Sequence, residues 1–268
     1  MTMLLALLAK MLIGALLGLI ISTTGVGGGV LILPVLIWLF GMDTLTAVAT
    51  ANLMSMLMKI SSTGVHFRLG NIPLKRSLII LSIMLPSTLI ASYGITLLAS
   101  IDAWHQYVQL SINILIVLAI ALSLFIFCSQ LFHSTTLIDD ELTKTSIPIS
   151  RFILPGIAAG MTIGATGVGG GVVMLPILTK YAGMNIKQAI GTSVFVTMLL
   201  SGASALAYGQ GGYTDLHLAV ILSLGSILSI PLAKFLLKNI SERTFQLITF
   251  AFILCSAMTM LYRLSSSV

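Results

Sequence analysis

Residues 24–34 read TGVGGGVLILP and residues 166–176 read TGVGGGVVMLP, identical at nine of eleven positions across an offset of 142. Each glycine costs a helix roughly 1 kcal/mol relative to alanine. Both copies therefore interrupt the apolar stretches that hold them. Breaks at matching points of two halves are the sequence mark of a binding site in a transporter fold.

The duplication extends well beyond the motif. At the same offset Gly14 meets Gly156, Gly18 meets Gly160, Gly41-Met42 meets Gly183-Met184, Thr50 meets Thr192 and Gly70 meets Gly212. The chain divides into a first repeat over 1–131, a polar linker over 132–150 and a second repeat over 151–268. The linker carries Asp139, Asp140, Glu141 and Lys144.

Composition decides the solvent. The chain is 57% hydrophobic and 7% charged, where a soluble domain has about 25% charged residues. Apolar runs reach the roughly 20 residues that a membrane helix needs. Unbroken runs such as Leu110–Cys128 exclude the alternating short strands of a barrel. The partner implied is a lipid bilayer. The net charge of +6 reads as orientation signal, not as a nucleic-acid footprint. Cys128 and Cys255 sit in apolar runs as small hydrophobes, and the four histidines lack metal-ligand spacing. Neither a Ser-His-Asp set nor a metal cluster is legible, so no enzyme and no cofactor is expected. The N-terminus reads as a first membrane segment, with no cleavage site for a signal peptide.

Each half contains five apolar segments: about 3–22, 30–41, 44–66, 74–98 and 104–130, then about 152–165, 172–183, 186–208, 214–237 and 243–263. The second segment of each is short, about 17 Å as a helix and half of a bilayer core. A re-entrant hairpin of half-helices and a pair of short tilted spans both fit. Either way three full crossings follow, so the second half should be inverted. The fold class expected is an all-α membrane protein of two inverted repeats, each a Gly-hinged pair of short helices plus three transmembrane helices. Arg68, Lys75 and Arg76 place their loop in the cytoplasm. The linker then lies inside and both termini outside.

Two features point to chemistry. The half-helices begin just after the glycines, and a helix N-terminus offers unpaired N–H groups and partial positive charge. That favours an anion. The second feature is a polar stripe over 44–66, in which Asn52, Ser55, Lys59, Ser62 and His66 share one helix face. The matching stripe is Thr197, Ser201, Ser204 and Tyr208. Lys59 lies within an apolar run, where an ionisable residue signals function, and its counterpart is Ser201. The candidate substrate-binding set is Thr24, Gly25, Gly27, Gly28, Gly29, Thr50, Asn52, Ser55, Lys59, Thr166, Gly167, Gly169, Gly170, Gly171, Thr192, Ser193, Thr197 and Ser201. His66 and Tyr208 are candidates for a gate or for proton coupling.

The paired glycine motifs, the G-M-x-x-x-x-A-x-x-T continuation and the H-F-R-L-G-N-I loop resemble the sulfite exporter TauE/SafE family. The resemblance covers nearly the whole chain and includes Pro34 and Pro176. It implies an inner-membrane permease for small sulfur-containing anions such as sulfite or organosulfonates. The second half departs from the pattern at Tyr208–Gly212, which replaces His66–Gly70. An alternating-access carrier is the expectation. An anion channel and a membrane assembly protein without transport are the alternatives, and an oligomer is compatible with each.

Overall fold

The computed structural model describes residues 2–24, 28–132, 150–168, 173–239 and most of 250–261. The described residues are helical, joined by short turns. The helices are α1 (Thr2–Thr24), α2 (Gly28–Trp38), α3 (Thr44–Arg68), α4 (Leu74–Ala99), α5 (Asp102–Phe132), α6 (Ser150–Thr166), α7 (Met174–Lys180), α8 (Ile186–Gln210) and α9 (Leu216–Asn239). Further helical residues lie within 250–261. Four stretches are long and apolar enough to cross a membrane: Leu4–Ile21, Leu74–Ala99, Asp102–Phe125 and Ile186–Gln210. α3 is as long as α8, but Lys59, His66, Arg68 and its hydroxyl residues dilute its apolar character. The linker 133–149 lies outside the described residues.

The short second segments hold. α2 has 11 residues and is buried from Gly28 to Ile37 except at Val35. α7 has only seven residues, shorter than the expected 172–183. The chain leaves the helix after Lys180, and Gly183 adopts a φ of 60° before α8 begins.

The duplication is written into the backbone. Asp43 caps α3 by accepting from the Leu45 and Thr46 N–H groups, and Asn185, 142 residues on, caps α8 by accepting from Gln188. Such caps satisfy donors that a helix start leaves open. Met42 N–H donates to Leu36 O as Met184 N–H donates to Leu178 O. Asn71 N–H donates to His66 O as Tyr213 N–H donates to Tyr208 O. Gly41 and Gly183 turn with φ of 65° and 60°, Gly70 and Gly212 with φ of 69° and 78°.

The halves interlock by exchange. α1 packs chiefly on α9, and its counterpart α6 packs chiefly on α4, while α3 and α8 meet at the centre. Small residues permit this closeness. A β-carbon on Gly14 would strike the Leu222 backbone, and one on Gly18 would strike Ser226. Thr88 Oγ1 donates to Gly160 O at 2.9 Å and Ser92 Oγ to Gly164 O at 3.1 Å. Contacts advance together along α4 with α6, from Gly160 beside Met84 and Ser87 to Gly164 beside Thr88 and Ala91, so that pair runs parallel. Along α3 and α8 they advance oppositely: Met56 meets Gly202, and Thr63 Oγ1 donates to Met198 Sδ at 3.4 Å.

Charge collects accordingly. Ser77 bonds to Thr192 at 3.1 Å and the Asn71 carbonyl lies against Gly191, which brings the α3–α4 turn beside the start of α8. That end of the bundle presents exposed Arg68, Lys75, Arg76, Lys180 and Lys187, and Arg151 at the start of α6. The opposite end carries Asp43, Asp102 and Asp215 at the starts of α3, α5 and α9.

Candidate functional site

The two glycine motifs come together. Gly28 and Gly29 open α2, and the first N–H groups of a helix have no partner within the helix itself. A β-carbon on Gly29 would overlap the Gly167 carbonyl and lie 2.9 Å from Val168 Cα. Only glycine lets backbone approach backbone so closely. Gly167 itself turns with φ of 67°, which L side chains rarely adopt.

Asn52 of α3 closes the junction. It is 0% exposed, and a β-carbon on Gly167 would lie 3.1 Å from its Nδ2 and 3.4 Å from its Oδ1. Asn52 Nδ2 donates to Val48 O at 3.1 Å, which fixes the amide. Its Oδ1 is buried and has no hydrogen bond among the described residues. Ser55, one turn on, approaches Gly28: a β-carbon there would lie 3.9 Å from Ser55 Oγ. Gly28, Gly29, Gly167, Asn52 and Ser55 are thus one cluster.

Lys59 follows Ser55 on the same face of α3 and is half-buried. Helical side chains lean toward the N-terminus of their helix, which tilts Lys59 toward Ser55. Among the described residues no carboxylate pairs with it.

The remaining expected residues divide into helix ties and residues outside the described set. Thr50 Oγ1 accepts the Asp215 N–H at 3.1 Å, joining α3 to α9. Its counterpart Thr192 bonds to Ser77, joining α8 to α4. Thr166 Oγ1 donates to Thr162 O at 2.6 Å and accepts from Val168 N at 3.1 Å, shaping the turn that ends in Gly167. Thr197 Oγ1 donates to Ser193 O within α8, and Ser193 and Ser201 are buried. Thr24 ends α1. Gly25, Gly27, Gly169, Gly170 and Gly171 lie outside the described residues.

The two gate candidates differ. His66 is partly buried near the end of α3, with Asn71 Nδ2 3.3 Å from its Nδ1. Tyr208 is 0% exposed and donates to Gly164 O at 2.9 Å. Ser92 and Ser204 converge on the same carbonyl, at 3.1 and 3.4 Å, and bond to one another. Tyr208 is therefore a strut that holds the end of α6 just before Gly167. Tyr208→Phe should lower stability by about 1 kcal/mol, the net worth of one hydrogen bond, and leave transport unchanged. Thermal unfolding beside a flux assay checks both.

Ser77, Asn71 and Ser92 are not legible as partners in the sequence, because single hydroxyls and amides carry no periodic signal. Asn113 of α5 accepts from Thr44 Oγ1 at 2.7 Å, tying α5 to the start of α3. Among the described residues no three His, Cys, Asp or Glu side chains gather as metal ligands would.

Comparison with known proteins finds one family and several relatives named as membrane transporters. The model of the family described as Sulfite exporter TauE/SafE matches residues 10–260. A probable membrane transporter protein of Haemophilus influenzae is 30% identical over 210 residues, 76% of this chain and 74% of its own length. One from Bacillus subtilis is 27% identical over 255 residues, 93% of this chain and 98% of its own. One from Methanocaldococcus jannaschii is 26% identical over 248 residues, covering 87% and 86%. No solved structure matches significantly.

Proposed function

The chain belongs to the sulfite exporter TauE/SafE family, and from that premise we propose that it is a secondary carrier for a small anion. Sulfite, an organosulfonate or a related sulfur oxyanion is the substrate. The observation that carries this reading is the meeting of the two glycine motifs beside buried Asn52. The α2 N-terminus and the glycine turn supply N–H donors and positive potential. Ser55 adds a hydroxyl and Lys59 adds charge. No carboxylate among the described residues neutralises Lys59, so an incoming anion completes it.

The halves 1–131 and 151–268 act as inverted repeats around this site. The helix directions support that sense. α4 runs parallel to α6, while α3 opposes α8. Short turns reverse α3 into α4 and α8 into α9. α3 and α4 opposing their counterparts α8 and α9 is what supports the inverted arrangement. Rocking of one half on the other then opens the site to alternate sides. The cationic end faces the cytoplasm of a bacterial-type inner membrane by the positive-inside rule. This puts the linker 132–150 inside and both termini outside.

Purified protein in liposomes tests the reading by counterflow. Vesicles loaded with unlabelled sulfite should accumulate labelled sulfite transiently, with saturation. A linear, non-saturating flux with single-channel currents would instead establish a channel, and no flux of any anion would remove transport by this site.

A further inference from the structure

The orphaned acceptor at Asn52 narrows the substrate class. Resting on the anion-carrier reading above, we propose that the site selects an anion that brings its own hydrogen-bond donor next to its charged head. Three observations meet here. Asn52 is wholly buried, its Nδ2 is held by Val48 O at 3.1 Å, and its Oδ1 has no partner among the described residues. Turning the amide over would set Oδ1 against the Val48 carbonyl, acceptor against acceptor, so the orientation is fixed by α3 itself. The amide lies on Gly167 and one turn from Ser55, which approaches Gly28 at the start of α2. A helix start offers N–H donors to negative charge, whereas Asn52 Oδ1 is an acceptor that negative charge cannot satisfy. A bare anion leaves that acceptor buried and unpaired. A hydroxyl on the substrate pairs it. Sites built around such a buried polar group reject analogues that lack the matching group far more strongly than apolar pockets reject size differences.

The acceptor belongs to the first half alone. The residue that matches Asn52 at the 142 offset is Val194. The selecting group is therefore asymmetric even where the backbone is duplicated, and it sits on the same helix as Lys59.

Matched anion pairs test this with the full chain in detergent, by titration calorimetry. The pairs are 2-hydroxyethanesulfonate against ethanesulfonate, and glycolate against acetate. Within each pair the charge and head group are shared and the hydroxyl differs. The hydroxylated member of at least one pair should bind about tenfold or more tightly, the scale of one buried acceptor left unsatisfied. A preference confined to the sulfonates also supports the sulfur reading. A preference confined to the carboxylates supports the donor rule and overturns the sulfur reading. In Asn52→Leu, of similar volume, the preference should vanish while the anion still binds. Equal affinities within both pairs in the wild-type protein would overturn the proposal whether or not Asn52→Leu folds. Binding of none of the four would overturn it too, and sulfite measured alongside shows whether the carrier reading survives.

Discussion

Lys59→Ala should weaken anion transport about ten- to hundredfold, the worth of a hydrogen bond to a charged group, without lowering thermal stability. Lys59 continues the face of α3 that carries Asn52 and Ser55, and among the described residues it has no acidic partner. A structural cation would be paired, because an uncompensated charge in an apolar setting is costly. Removing this one therefore relieves desolvation in the empty protein and costs affinity in the loaded one. The effect belongs mainly in the apparent KM for the anion, since a uniform binding contact is lost. Initial rates against sulfite concentration in proteoliposomes measure it. Unchanged rates would take Lys59 out of the site.

Gly29→Ala should be the more damaging substitution, although it adds a single carbon. The new β-carbon would overlap the Gly167 carbonyl and crowd Val168 Cα at 2.9 Å. Both are backbone, so no flexible side chain can yield. Overpacking of this kind costs about 1–3 kcal/mol, and it forces apart the two turns that form the site. Transport should be abolished and the unfolding temperature should fall. Gly94→Ala is the contrast. A β-carbon there meets nothing within 4 Å, and alanine in α4 gains up to about 1 kcal/mol of helix propensity. It should keep full flux and unfold at an equal or higher temperature. Equal behaviour of the two variants would show that the Gly29 contact has no special role.

Much of this fold is legible in the residues. The 142-residue offset carries through to paired caps at Asp43 and Asn185 and to paired turns at Gly41 and Gly183. The half-length of α2 follows from the glycines before it and the Gly41 turn after it. The exchange of partners, α1 with α9 and α6 with α4, is not legible. Glycine stripes on α1 and α6 announce close packing, yet nothing local says which helix will fill them. Hydroxyl roles are hidden for the same reason. Thr50 and Ser55 look alike in sequence, but Thr50 ties α3 to α9 through Asp215 while Ser55 approaches Gly28. Tyr208 stands where His66 stands in the first half, and burial turns it into a strut. Asn52 was visible as one member of a stripe. Its special standing depends on Gly167, 115 positions away, and on Val48 fixing its amide.

We propose that the two glycine motifs and Asn52 together enclose one anion. The most direct test is a crystal structure grown with selenite, a heavier analogue of sulfite, with anomalous scattering used to locate selenium. One strong peak is expected, bounded by Gly28, Gly29, Gly167 and Asn52, on the Lys59 side of α3. Selenium bound only at the cationic end of the bundle, around Arg68, Lys75 and Arg76, with the glycine junction empty, would contradict it.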